Sequence, residues 1–228
     1  MARRRVNWFA VIVTVAVVIA IVAVGAIIVT QSGPSSSAAS ASPTSRPLVD
    51  DVAVDADAGA VTFGTGTRTV ATYVDFLCPY CRQLEQADGE TLQKLVADGT
   101  ITLSIHPVTI LDPRSAGTSY SSRAAGAFFA VAEADPAHAY AFFAALFNDQ
   151  PPENTAGFTD AQLVQVAKKA GVDVTPELER AILTREYQGY AQSHGLPSGA
   201  RGTPTVTVDG KTVEVAFDPE RDILTHLR

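Results

Sequence analysis

The chain has only two cysteines among its 228 residues, Cys78 and Cys81, and just two residues separate them. The run Thr69–Phe76 before them is rich in β-branched and aromatic residues, which is typical of a buried strand. The run Arg82–Asp98 after them has the apolar spacing of a helix. Cys78 is therefore predicted to lie at a strand-to-helix junction, where free backbone N–H groups stabilise a thiolate and lower the thiol pKa. Such a thiolate can attack disulfides.

Other roles are open to a closely spaced cysteine pair. A structural disulfide is one, although so short a loop restricts the unfolded chain very little. A zinc site needs about four ligands, and the sequence has no second cysteine pair. Its four histidines are spread along the chain without ligand spacing: His106, His138, His194 and His226. Two inert core cysteines fit poorly with the Pro-Tyr dipeptide between them, which suits a turn into a helix. We therefore expect a redox-active pair, with no metal and no other cofactor.

The N-terminal part of the chain has the pattern of a membrane anchor. Trp8–Val29 carries no charge and is almost wholly Val, Ile and Ala, which is long enough for a helix to cross the roughly 30 Å hydrocarbon core. Arg3, Arg4 and Arg5 precede it, so the N-terminus is expected in the cytoplasm. Residues 1–30 are thus predicted to be a single-pass anchor in the cell membrane. A cleaved signal peptide is the alternative, although its apolar stretch usually has about 7 to 15 residues.

The rest of the chain is expected outside the cytoplasm. Residues 31–47 are rich in Ser, Ala and Pro, and this composition predicts a flexible linker. Residues 48–228 form the predicted folded domain. Of the 17 basic residues three precede the apolar run and 14 follow it, together with all 24 acidic residues, so the part outside has a net charge of −10. Such an acidic domain is a poor partner for nucleic acid. The linker keeps it close to the membrane.

Strand patterns occur at both ends of this domain. Val52–Asp57 and Val61–Phe63 form a predicted hairpin that leads into the cysteine strand, and Thr100–His106 alternates as a half-buried strand should. Strand patterns return at Thr205–Val208 and Thr212–Val215, which flank an Asp-Gly turn.

The middle of the domain has helical patterns. They lie at Tyr120–Ala134, Pro136–Phe147, Thr159–Ala170 and Pro176–Ala191, and a last helix is predicted at Pro219–Leu227. This order predicts an α/β thioredoxin fold with a helical insertion, about residues 112–200, between the third strand of the core and a cis-proline strand. The large apolar residues of the insertion are expected to form its core, with an aromatic substrate groove as the alternative: Phe128, Phe129, Phe142, Phe143, Leu146 and Phe147.

A second candidate site lies at Thr203 and Pro204, just before a predicted strand. Proline is tolerated at the first residue of a strand, and an X-Pro bond can be cis. If this loop faces Cys78, its backbone can pair with an extended substrate segment and bring a substrate cysteine to the sulfur.

The sequence resembles the DsbA-like branch of the thioredoxin superfamily, and more narrowly its membrane-anchored actinobacterial members. Four stretches carry the resemblance: Asp75–Cys81, His106–Asp112, Tyr120–Ala125 and Gly202–Lys211. The resemblance implies thiol–disulfide oxidoreductase activity towards exported cysteine-containing proteins. It also implies that a membrane redox partner recycles the protein, either a quinone-linked oxidase or a supplier of reductant.

The resemblance also implies roles for individual residues. Cys78 would be the exposed nucleophile and Cys81 the buried resolving thiol, with Pro79 and Tyr80 as the active-site dipeptide. Pro204 would be the cis-proline, preceded by Thr203.

Proton transfer to and from the buried thiol has no obvious residue in this sequence. Many relatives carry an acidic residue six places before the first cysteine, where this chain has Thr72. Asp75 could act as base through a water, or could instead be a strand-end residue that holds the turn.

The sequence leaves the direction of the redox reaction open. We expect an oxidant that forms disulfides, because a stabilised Cys78 thiolate favours the reduced protein. A disulfide reductase or isomerase of the same fold is the alternative. A non-catalytic tethered protein-binding module is the alternative from another class of protein.

Overall fold

The computed structural model describes residues 51–228. No helix within this range is both long and apolar enough to cross a membrane. The predicted anchor Trp8–Val29 and the predicted linker 31–47 lie outside the described residues, so both stay predictions.

A mixed sheet of six strands forms the centre of the domain. The strands are β1 Val52–Asp55, β2 Ala60–Phe63, β3 Arg68–Val74, β4 Ile101–Pro107, β5 Thr205–Val208 and β6 Lys211–Val213. Their order across the sheet is β1-β2-β4-β3-β5-β6. β3 pairs in parallel with β4 and antiparallel with β5. The strand that leads to the cysteines is therefore one of the two central strands, next to the strand that begins after Pro204.

The helices are α1 Pro79–Ala97, α2 Tyr120–Ala134, α3 Ala139–Asn148, α4 Asp160–Lys169, α5 Pro176–Leu183, α6 Gln188–Gln192 and α7 Thr225–Leu227. Short 3₁₀ turns occur at Asp112–Arg114 and Pro136–His138, and a π-helical turn at Glu220–Leu224 leads into α7. Every regular element of the described chain between β4 and β5 is helical, as predicted.

Two helices of this block begin at threonine caps that the sequence signals. The Thr159 side chain accepts a hydrogen bond from the backbone of Gln162, whose own side chain accepts from the backbone N–H of Thr159. Thr175 accepts from the backbone N–H of Leu178 at 3.2 Å and is followed by a proline in the first turn.

The predicted ends of several elements were wrong. β3 ends at Val74 rather than Phe76, because Asp75 already turns the chain towards α1. α1 begins at Pro79 rather than Arg82, since proline is well suited to the first helical position. The single helix predicted over 176–191 is broken into α5 and α6, and Arg185 between them adopts a left-handed conformation with φ of 58°.

The aromatic residues of the insertion form a core that is continuous with the cysteine loop. Phe76 lies just before Cys78, and its ring centroid is 5.9, 5.8 and 5.2 Å from those of Phe128, Phe143 and Phe147. All these rings are almost fully buried. The core prediction for this cluster is therefore confirmed, and the alternative of an open aromatic groove is wrong.

Candidate active site

Asp75 fixes the loop between β3 and α1. Its side chain is fully buried, and its carboxylate accepts hydrogen bonds from the backbone N–H groups of Leu77 and Leu111, both at 2.9 Å, and from the Ser121 hydroxyl at 2.6 Å. These partners belong to the cysteine loop, the loop after β4 and helix α2. The backbone of Asp75 also accepts from the N–H of Cys78 at 2.9 Å. The Asp75 carboxylate therefore holds three segments together around Cys78.

Cys78 is the N-cap residue of α1, with extended backbone angles. Both cysteines are free thiols. The resemblance implies an exposed Cys78, but only 4% of this residue is accessible and Cys81 is fully buried. The expectation of an open sulfur was therefore wrong. One physical reason is the Thr203 loop, whose carbonyl oxygen lies 3.5 Å from Cys78 Sγ.

The Thr203–Pro204 peptide bond is cis, as the sequence predicts. Both residues are half-buried and immediately precede β5, the neighbour of β3 in the sheet. The dipeptide Pro79 and Tyr80 is exposed. Tyr80 is 60% accessible, and its ring stacks against Phe217 with 6.3 Å between the centroids. The structure thus brings the Thr203–Pro204 loop to Cys78, which lies 125 residues earlier in the sequence.

The environment of the two sulfurs gives them very different acidities. The hydrogen bond from the Cys81 thiol lowers the pKa of Cys78 from 9.0 to about 6, against the opposing effect of burial. The Thr203 side chain and the backbone N–H groups of Cys81 and Tyr80 also lower this pKa. Burial raises the pKa of Cys81 well above 9.0, and the neighbouring Cys78 adds to the effect. At neutral pH Cys78 is therefore a thiolate and Cys81 a thiol.

Asp75 and Thr72 were suggested for proton transfer, but neither has a titrating side chain hydrogen-bonded to Cys81. Asp75 donates its backbone N–H to Cys81 Sγ at 3.4 Å, while its carboxylate makes the three contacts described above. Burial raises the pKa of Asp75 to about 6, although those hydrogen bonds oppose the shift. Thr72 is 3% accessible and lies near Cys81, but its hydroxyl does not titrate in this range.

Beside Cys81 lies a cavity of about 10 Å³. Its lining is apolar apart from four residues with polar side chains: Thr72, Cys81, Glu85 and Tyr140. Among residues 51–228, no group of three or more His, Cys, Asp or Glu side chains is placed to hold a metal ion.

A family model described as thioredoxin matches residues 65–222. The oxidised DsbA of Mycobacterium tuberculosis is 33% identical, with 69% of this chain and 86% of that chain covered and a TM-score of 0.62. The reduced disulfide bond oxidoreductase DsbG of the same organism is 35% identical, with 65% and 72% covered and a TM-score of 0.60. The chain belongs to the DsbA-like thiol:disulfide oxidoreductase family. Its fold is accordingly the thioredoxin fold.

This DsbA-like chain is also similar to part of a longer protein that is named as a kinase. The serine/threonine-protein kinase PknE of Mycobacterium tuberculosis is 31% identical over 169 residues, which make up 68% of this chain and 29% of the kinase. The chain thus spans less than a third of the length of the curated relatives it matches.

Sequence reasoning missed some residues that the DsbA-like site uses. Gln150 follows α3 and donates its side-chain amide to the carbonyl oxygens of Phe76 at 3.1 Å and Cys78 at 3.0 Å. Nothing in the local sequence marks it, because its partners lie more than 70 residues away. Glu85, which lines the cavity beside Cys81, was missed as well, because its place in the helical pattern is that of a surface residue.

Proposed function

We propose that this protein is an extracytoplasmic thiol–disulfide oxidoreductase that forms disulfide bonds in exported proteins. The observation that carries the proposal is the pairing of a Cys78 thiol, whose pKa is lowered to about 6, with a fully buried Cys81 beneath it and the Thr203 carbonyl 3.5 Å away. Cys78 can therefore be released as a thiolate, whereas Cys81 stays a protonated thiol. The similar protein DsbG is named as a disulfide bond oxidoreductase, which supports the same chemistry.

The reaction transfers two electrons from the substrate to the protein. A substrate thiolate attacks Cys78 Sγ in the Cys78–Cys81 disulfide, and Cys81 leaves and takes up a proton. A second substrate thiolate then attacks the substrate sulfur of the mixed disulfide, which forms the substrate disulfide and releases Cys78 as a thiolate. Because the Cys78 thiol is mostly ionised at neutral pH, Cys78 is a better leaving group in this second step than the substrate sulfur to which it is bonded.

The lowered pKa also favours the oxidising direction. At pH 7 a thiol with a pKa of about 6 rather than 9.0 stabilises the reduced protein by roughly 1.4 kcal/mol, which raises the reduction potential by about 30 mV. We therefore expect a potential above the value of about −270 mV that is typical of thioredoxin. A measured potential at or below that value would identify a reductase and contradict the oxidising role.

We place the domain on the outer face of the cell membrane, held by an uncleaved anchor in residues 1–30 and a flexible linker. The charge pattern of the sequence supports this placement. Its partners are then exported proteins with free thiols and a membrane redox protein, most simply a quinone-linked oxidase. The test is the mass of the protein isolated from membranes, combined with protease treatment of intact cells. A mature chain that lacks the apolar run would show a cleaved signal peptide instead.

The activity is tested with a reduced, unfolded protein that regains its disulfides. The oxidised protein should restore it, Cys78→Ser should abolish the reaction, and Cys81→Ala should accumulate a disulfide between Cys78 and the substrate. The same three proteins in an insulin reduction assay and in a scrambled-disulfide assay test for a reductase and an isomerase. Inactivity of the unaltered protein in all three assays would leave only the binding-module alternative and would overturn the proposal. In cells, the Cys81→Ala variant should capture its membrane partner through the same bond.

A further inference from the structure

A residue with a carboxyl group lines the same cavity as Cys81. Glu85 lies four residues after Cys81 on α1, so the two side chains are on the same face of the helix. Both line the cavity of about 10 Å³ behind the active site. A cavity of that size matches about one water site. A water in this cavity would give a proton a path between the thiol and the carboxylate.

Contacts with α3 and within α1 fix the position of the Glu85 carboxylate. The Tyr140 hydroxyl of α3 donates to Glu85 at 3.0 and 3.1 Å from its two carboxylate oxygens, and Tyr140 is only 6% accessible. The carboxylate also packs over Gly89, where an added Cβ would lie 2.7 Å from Glu85 Oε1. The Gly in the middle of α1, which weakens a helix by about 1 kcal/mol relative to Ala, thus leaves the space that the carboxylate occupies.

Cys81 requires a proton acceptor, because burial raises its pKa well above 9.0. Around it, the Asp75 carboxylate is occupied by three hydrogen bonds elsewhere, and Thr72 does not titrate. Burial raises the pKa of Tyr140 well above 10.0, which makes its hydroxyl a poor acceptor.

Glu85 has the acidity that this transfer needs. Burial raises the pKa of Glu85 to about 8; the hydrogen bond from Tyr140 opposes the shift, and the charge of Asp88 adds to it. Besides Cys81, the titrating groups near the Glu85 carboxylate are Tyr140 of α3 and Asp88 of α1. The strands contribute non-titrating side chains to the cavity: Thr72, Val74, Leu103 and Ile105. A group with a pKa near the working pH can both take and return a proton.

We propose that Glu85 is the proton-relay residue of the Cys81 thiol. The inference rests on the proposed redox function of the cysteine pair. The reduced protein is oxidised through a mixed disulfide between Cys78 and the oxidant. The Cys81 proton moves to the Glu85 carboxylate, and the Cys81 sulfur attacks Cys78 Sγ. This forms the Cys78–Cys81 disulfide and releases the thiolate of the oxidant. Glu85 is partly accessible, which gives the proton a route on to solvent. In the opposite direction protonated Glu85 returns a proton to Cys81 as it leaves.

The two cysteines can be followed separately with an aromatic disulfide that releases a coloured thiolate. The reduced protein should release a first thiolate when Cys78 attacks the reagent and a second when Cys81 resolves the mixed disulfide. Glu85→Gln keeps the size of the side chain and an oxygen for the Tyr140 hydrogen bond. We expect this variant to slow the second release at pH 7 at least about tenfold, within the range for general acid–base catalysis, while the first release changes less than about twofold.

The pH dependence of the second release separates proton transfer from a structural effect. With Glu85 present, the rate should rise with pH and level off above about 8. In Glu85→Gln it should keep rising towards the pKa of Cys81 itself and approach the unaltered rate at high pH. Tyr140→Phe removes the donor that stabilises the ionised carboxylate, and should move the levelling-off to higher pH. Glu90→Gln removes an exposed carboxylate from the same helix and should leave both releases unchanged.

The outcomes distinguish this inference from the proposed function. If the unaltered protein releases no thiolate, the redox function fails and the inference with it. If the unaltered protein releases both and Glu85→Gln gives the same pH profile for the second, the function stands and Glu85 is not the relay. A second release that is slowed equally at every pH would show a purely structural role and would also overturn the inference.

Discussion

The low pKa of Cys78 should depend mainly on the thiol of Cys81. The hydrogen bond from that thiol is the largest contribution to the fall from 9.0 to about 6. A hydrogen bond to a charged group contributes about 1.5–3 kcal/mol, which corresponds to roughly 1–2 pKa units. Cys81→Ala removes this donor and leaves the sulfur of Cys78 covered by Thr203. We therefore expect the pKa of Cys78 to rise to roughly 7–8 in this variant.

The change can be measured from the rate at which iodoacetamide alkylates Cys78 as a function of pH. At pH 7 the thiolate fraction should fall from about nine-tenths to between about one-tenth and one-half, and the rate should fall by about two- to tenfold. Cys81→Ser is the matched control, because its hydroxyl can still donate to the thiolate. Its rate at pH 7 should fall less than about twofold. Equal titration midpoints for the Ala and Ser variants would refute the assignment of the shift to the Cys81 hydrogen bond.

Three further predictions concern the stability of the domain, measured by urea unfolding. Both carboxylate oxygens of Asp88 are buried without a hydrogen-bond partner, and burial together with Asp222 raises the pKa of Asp88 from 3.8 to about 7. The protonated form therefore stabilises the fold at low pH, and this contribution is lost as the pH rises through about 7. Asp88→Asn should reduce the loss of stability between pH 5 and pH 8 by about 1–3 kcal/mol, and an unchanged loss would contradict this. Arg123 is buried, pairs with Asp160 at 2.8 Å and donates to backbone carbonyls. Arg123→Met should therefore lower the free energy of unfolding by about 3–5 kcal/mol at pH 7. A loss below about 1 kcal/mol would argue against a stabilising ion pair. Gln150→Ala removes two hydrogen bonds to the cysteine loop and should cost about 1–2 kcal/mol, which an unchanged unfolding midpoint would rule out.

The sequence predicted the parts of the fold that local patterns determine. The hairpin before the cysteine strand, the strand-to-helix junction at Cys78 and the final Asp-Gly hairpin all lie where alternation, turn residues and helix spacing place them. The break after α5 could not be predicted, because no glycine or proline marks it. The left-handed Arg185 at this break pairs with Asp160 at 2.9 Å, a contact from a different helix.

The parts of the site that the sequence did not predict depend on distant contacts. One of the contacts that bury Cys78 comes from Thr203, 125 residues further along the chain. Glu85 has the position of a surface residue in the helical pattern. Only the packing of Tyr140 and the space at Gly89 turn its carboxylate inward.

The amide of Gln150 has a consequence for how domains of this type can be recombined. It connects the end of the aromatic helices to the two carbonyls that frame the first cysteine. The insertion is therefore not an independent module that can be exchanged between relatives without effect. A chimera that takes its helical insertion from another family member must supply an equivalent hydrogen-bond donor at position 150. Without that donor, the geometry of the cysteine loop will change.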